Sequence, residues 1–184
     1  MPDYYFDVET KGTPIDSALN SIQWQATNSG SGLPKGDLVI LKAWESSEKE
    51  IATKFHDIFQ PESENPFIFV PIGENLTFDL MVMWNAWKRA GIEVSLEKLL
   101  YNRPKIDIKS DLVRMCGGNF KGASLTMLCG NNAEGGEIPK WYEVKEFAKI
   151  EAYVRAEAEE FLKYYKMSLP YFRNLKSIMQ KERK

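Results

Sequence analysis

The chain is poor in the residues that carry several common chemistries. It has one histidine, His56, and two cysteines, Cys116 and Cys129, in 184 residues. His56 falls in an amphipathic helix expected over Ser47 to Phe59, a poor seat for general-base or triad chemistry. Neither cysteine belongs to a CxxC pair. Nothing therefore suggests a disulfide scaffold or a zinc-ligand pattern; one disulfide is possible, and two free thiols in a reducing compartment are the plainer reading. No apolar run approaches the ~18 residues of a membrane span, and the chain opens on a charged, aromatic strand instead of a signal segment. A cytoplasmic protein without a membrane partner is the expectation. Positive charge is also lacking: 24 Lys and Arg face 26 Asp and Glu, for a net charge of −2. A protein that coats nucleic acid non-specifically is usually basic. An enzyme whose acidic site is loaded with metal stays open, because bound ions reverse the local sign.

What is present is ordinary in bulk. Apolar residues make up 43% and charged residues 27% of the chain, a soluble globular balance with enough length for one cored domain. One stretch stands apart, Tyr4-Tyr5-Phe6-Asp7-Val8-Glu9-Thr10. A strand turns alternate side chains to alternate faces, so Asp7 and Glu9 share one face while Phe6 and Val8 point to the other. Two adjacent carboxylates repel and need a counter-charge, which a hard divalent cation with oxygen ligands supplies. An edge strand with two solvated acids is the plainer alternative.

Along the chain, Lys11-Gly12-Thr13-Pro14 makes a turn. Ser21 to Thr27 and Asp37 to Trp44 read as second and third strands around a Gly/Ser/Asn/Pro loop. Three strands joined by turns make an antiparallel meander. Ser46 or Ser47 caps the helix that ends before Pro61, with Glu48 and Glu50 in its first turn. Asn65 to Pro71 suits a buried strand. A largely buried helix follows, capped by Thr77 or Asn75, carrying Asp79 in its first turn and stopped by Gly91. Asp79 thus lies beside a strand's C-terminal end, where open α/β sheets bind ligands. Ile106 to Ile108 reads as a short strand, Ser124 to Leu128 as a short helix, Asn131 to Pro139 as a loop, and Val144 to about Lys166 as the last long helix. Tyr153 and Glu157, four apart, share one face of it. The segment from Pro170 reads as a solvated basic helix end. A domain over 1–168 and a basic tail over 169–184 are expected, with a mixed sheet flanked by helices.

Four acids in this order, Asp7, Glu9, Asp79 and Glu157, resemble the DEDD superfamily of 3′–5′ exonucleases with a ribonuclease H-like fold. Tyr5 to Thr10 is similar to the first motif, an apolar residue followed by D-x-E-T. Ile72-Gly73-Glu74-Asn75-Leu76-Thr77-Phe78-Asp79-Leu80 is similar to the second, G-x-N-x-x-F-D-L. Tyr153-Val154-Arg155-Ala156-Glu157 is similar to the third, Y-x-x-x-D. The tyrosine form of that motif is shared with proofreading domains of family B DNA polymerases. The histidine form would need a His where Ala152 stands. Ile106-Asp107-Ile108 and Gly122 to Leu128 resemble intervening segments of the family. Glutamate at 157 departs from the pattern, and Glu151 and Glu160 are alternative last ligands.

The resemblance implies two divalent cations, Mg2+ or Mn2+, held by Asp7, Glu9, Asp79 and Glu157, with Asp7 bridging both. Such a pair stabilises both oxygens of an in-line displacement at phosphorus. Tyr153 would orient the attacking water, its phenol being too weak a base to do more. Thr10, Asn75 and Phe78 would contact the substrate, Phe78 by stacking unless it serves the core. Lys11, Lys121 and Arg155 are candidate phosphate contacts, and Trp141 a candidate base platform. The implied partners are single-stranded DNA or RNA 3′ ends and replication or repair proteins. The alternative is a catalytically weak or inactive exonuclease-fold module that binds nucleic acid or a partner.

Overall fold

A computed structural model describes residues 2–12, 14–125 and 135–181. Its centre is β1, Pro2–Thr10. Strands β2 (Leu19–Asn28) and β3 (Val39–Lys42) add antiparallel on one side. Strands β4 (Val70–Gly73) and β5 (Ile106–Asp107) add parallel on the other. The five-stranded order is β3-β2-β1-β4-β5. This is the expected α/β architecture, a three-strand meander extended by parallel strands and flanked by helices.

The alternation of β1 divides the core. Phe6 and Val8 face α1 (Glu48–Phe59) and α2 (Leu76–Ala90), joining Ile51, Phe55, Phe59, Leu80 and Trp87 in one buried cluster. Phe6 stacks on Phe55 with ring centroids 5.1 Å apart. Burying such a ring contributes roughly 1.5–3 kcal/mol. Tyr5 faces the opposite way, into a second cluster with Ile72, Leu112, Phe161, Leu162 and Tyr165. Phe161 and its neighbours belong to the last helix, so β1 is covered on both faces.

Local chemistry sets the helix ends. Ser47 caps α1, its Oγ accepting from the Glu50 N–H at 3.1 Å. Gly91 ends α2 in the left-handed region at φ 82°. Short helices α3 (Leu96–Leu100) and α4 (Lys109–Met115) flank β5. A 3-10 turn over Gly135–Glu137 leads into α5 (Ile138–Glu143), and α6 runs from Phe147 to Lys181.

Several boundaries differ from the sequence reading. The apolar run Asn65 to Pro71 is mostly a turn, because the Asn65 side chain accepts from the Phe67 N–H at 3.1 Å and holds the backbone out of the sheet. Pairing begins only at Val70. The third strand pairs over four residues, not eight. Ile108 ends its strand by starting α4. The last helix starts at Phe147, after a turn in which Lys145 has φ 61°. It also continues through Pro170 to Lys181, so the first part of the basic tail is its exposed end. The expected helix over Ser124 to Leu128 lies outside the described residues from 126 onward, as do 131–134 of the expected loop and Cys129. Among the described residues, no helix is long and apolar enough to cross a membrane.

Candidate functional site

The C-terminal ends of β1 and β4 open into a cleft of about 310 Å³ between the start of α2 and the face of α6. Each wall has a local cause. Asp7 lies opposite Gln23 in the antiparallel ladder. The buried Gln23 amide donates to Asp7 Oδ2 at 2.6 Å, and Gln23 Oε1 accepts from Ser21 at 3.2 Å. Beyond β4, Gly73 presses against β1: a Cβ there would lie 2.7 Å from the Phe6 carbonyl oxygen. Asn75 follows in the left-handed region at φ 63°. Its own side chain does not cap α2. Instead Asp107 Oδ1 accepts from the Asn75 N–H and the Lys109 N–H, both at 2.9 Å. That clamp ties the β4–α2 turn to the start of α4 and sets the first turn of α2, which presents Asp79.

The expected acids meet. Asp7, Glu9 and Glu157 each place a carboxylate oxygen within 4.8 Å of the others. Asp79, 4% exposed, lies beside Asp7. Glu157 lies beside Glu9 and the Tyr153 hydroxyl, and its Oε2 is buried without a hydrogen-bond partner. Residues 9 and 157 are thus far apart in the chain but adjacent in the site.

Burial governs the electrostatics. It raises the Asp7 carboxyl to about 6, against the opposing Gln23 hydrogen bond. It raises Glu9, Asp79 and Glu157 well above the carboxylate range, and the Asp7 charge adds to each. It also raises the phenols of Tyr153 and Tyr5, with the surrounding carboxylates acting in the same direction. Packed acids that resist ionisation are a set of hard oxygen donors short of positive charge.

Asn75 and Phe78 line the cleft, and Phe78 also packs on the core cluster of α1 and α2. Thr10 does not join them. It lies on the other face of β1 and its hydroxyl donates to the Gly12 carbonyl. Glu151 is held away by Lys42 and Arg155, each at 2.6 Å, whereas Glu160 lines the cleft. Lys11 sits over the Tyr142 ring at 4.5 Å. Trp141 is no exposed platform. It packs with Ile138, Ile150 and Val154, and its ring meets Tyr153 edge-on at 6.4 Å.

Sequence reasoning missed Gln23, Tyr5, Glu74 and Lys109. Lys109 lines the cleft, donates to the Ala123 carbonyl and pairs with Glu74 Oε1 at 3.2 Å. Glu74 Oε2 accepts from the Leu125 N–H at 2.9 Å. Strand parity carried a signal for Tyr5, which shares the face of Asp7 and Glu9. Nothing local marks Lys109.

No protein-family model and no curated protein matches the chain. Solved structures do. E. coli exonuclease I in complex with a dT13 oligonucleotide matches over 100% of this chain and 44% of that one, with TM-score 0.62 and 13% identity. The same E. coli enzyme with a 5cy-dA13 oligonucleotide matches over 62% of this chain and 29% of that one, with TM-score 0.48 and 17% identity. The chain therefore spans less than half the length of the exonuclease I chains it matches. The first likeness shows the fold, a ribonuclease H-like mixed sheet flanked by helices.

Proposed function

We propose that this chain is a metal-dependent 3′–5′ exonuclease of the tyrosine DEDD type, releasing nucleoside 5′-monophosphates from single-stranded nucleic acid. One observation carries the proposal: carboxyls from three distant segments, β1, the start of α2 and the N-terminal third of α6, converge in one cleft. Their chemistry fits the implied cations. The donors are all oxygen, burial holds them above the usual carboxylate range, and Glu157 keeps one buried oxygen unpartnered. Asp7, Glu9, Asp79 and Glu157 would hold two Mg2+ or Mn2+ ions. When bound, such ions supply Lewis acidity for in-line displacement at phosphorus.

The chain's own residues do the remaining work. Gln23 fixes Asp7. Tyr153 stays protonated, because burial and the nearby carboxylates push its phenol upward. It therefore orients a water as a hydrogen-bonding group and does not remove its proton. Phe78 offers a ring face to the terminal base and Asn75 a side-chain amide to the terminal sugar. Lys109 supplies the cationic wall against which a phosphate can settle. Single-stranded DNA is the first substrate to test, because the neighbour with the higher TM-score was solved with a dT13 oligonucleotide.

The test is degradation of 5′-labelled single strands, DNA and RNA in parallel, with Mg2+, Mn2+ or EDTA. A 3′-shortening ladder that requires metal and vanishes in Asp7→Ala is expected. A folded protein that leaves both strands intact under either metal overturns the proposal, and retained strand binding in that case identifies the binding module.

A further inference from the structure

Tyr5 belongs to the cleft yet has no part in the reading above. It lies two residues before Asp7 on the same face of β1, is 2% exposed, and packs its ring on Phe161 at 5.1 Å. A phenol at that depth normally finds a hydrogen-bond partner. The Tyr5 hydroxyl has none. Among the described residues, three other buried side-chain atoms share that condition, on Asn20, Arg103 and Glu157. Of these residues, only Glu157 lines the cleft with Tyr5. A hydroxyl is a donor and a carboxylate oxygen an acceptor, so each atom supplies what the other lacks.

We propose that Tyr5 is a positioning residue for Glu157: with a divalent cation bound, its hydroxyl donates to Oε2, directly or through one water. The inference rests on the cation-binding reading given above. It follows from the length of the side chain. Glutamate has three torsions to fix, and each freely rotating one costs conformational entropy when a ligand geometry is imposed. Tyr153 and Glu9 lie beside the Glu157 carboxyl. Oε2 has no hydrogen-bond partner, and a second phenol from the strand side fixes the plane of the group. Partners of this kind orient a ligand without touching the ion, and losing one typically lowers metal affinity 10–100-fold.

Tyr5→Phe tests this, since it removes one oxygen and keeps the ring on Phe161. Mn2+ binding is measured by titration calorimetry on the full chain, beside thermal melts in EDTA and in Mn2+. In EDTA the variant is expected to melt no lower than the parent, because it sheds an unpaired buried hydroxyl. Its Mn2+ affinity is expected to fall about tenfold, with a smaller Mn2+-induced rise in melting temperature. Unchanged Mn2+ affinity overturns the role of Tyr5. So does a lower melting temperature in EDTA with the full Mn2+-induced rise retained, which makes Tyr5 a purely structural residue. Absence of Mn2+ binding by the parent protein overturns the cation reading itself and this inference with it, and that failure is recognised because it appears without any substitution.

Discussion

At the scale of single residues, the site depends on neutral donors as much as on its acids. Gln23 is the clearest case. It reaches Asp7 across the ladder at 2.6 Å and is itself braced by Ser21. Replacing it with leucine leaves a buried carboxylate without its donor, a loss of about 1–3 kcal/mol. The Asp7 carboxyl then resists ionisation further, because the hydrogen bond that lowers it is gone. We expect Gln23→Leu to weaken Mn2+ binding at neutral pH roughly tenfold. Titration calorimetry at two pH values checks this, and an affinity equal to the parent's would remove Gln23 from the site. Tyr153 makes a different prediction, because in the proposed reaction its hydroxyl would act on the attacking water and not on the strand. Tyr153→Phe should lower kcat about 100-fold or more while leaving KM within a few-fold. A rise in KM with kcat intact would instead make Tyr153 a substrate contact. Its neighbour Gly135 has a linked constraint, since a Cβ there would lie 2.8 Å from the phenol oxygen.

At the scale of elements, what matters is how turns and helix starts are pinned. Gly73 sits where β4 ends, and a Cβ there would strike the Leu76 side chain and the backbone oxygen of Phe6, which cannot swing aside as a side chain does. Gly73→Ala is expected to cost about 1–3 kcal/mol, read as a lower urea midpoint with an unchanged slope. A neutral result would mean that β4 yields to the added methyl. Much of this level was legible in the sequence. The parity of Asp7 and Glu9, the Ser47 cap and the Gly91 stop each follow from local chemistry and appear where expected. The run from Asn65 to Phe69 differs from its expected strand because a short apolar stretch does not by itself distinguish a buried strand from a turn that buries only Phe69. Phe69 is buried for a reason that composition does not reveal, stacking on Tyr4 at 4.2 Å. Gln23, Lys109 and the Asp107 clamp were illegible for another reason. Each acts across a gap in sequence that only strand pairing closes.

At the scale of the whole molecule, the acids couple the site to stability. In the folded protein without cation, Asp7 titrates near 6, against an ordinary value of 3.8, and Glu9, Asp79 and Glu157 are raised as well. Between pH 5 and 7.5 the folded state therefore holds more protons than the unfolded chain, so stability falls as pH rises through that window. Of the roughly 3 kcal/mol that the Asp7 shift carries in full, about 1.4 kcal/mol is lost between pH 5 and 7.5. Two groups act in the opposite sense. Glu62 is lowered by the Ser95 N–H and Lys98, and Glu151 by Lys42 and Arg155. By pH 5 both are ionised in the folded protein and mostly ionised in the unfolded chain, so they offset this window by only about 0.2 kcal/mol each. Melting in EDTA should therefore drop steadily from pH 5 to 7.5, and Asp7→Asn should flatten the slope. A cation that binds only the folded state at 100 times its Kd restores about 2.7 kcal/mol. Mn2+ should accordingly raise the melting temperature strongly at pH 7.5 and little at pH 5, where protons already neutralise the site. A melting temperature in EDTA that rises across this window, or a Mn2+ effect independent of pH, would separate the acids from the stability of the fold. The pH dependence of the free protein and its response to cation thus have one origin, because protons and divalent ions compete for the same carboxyls.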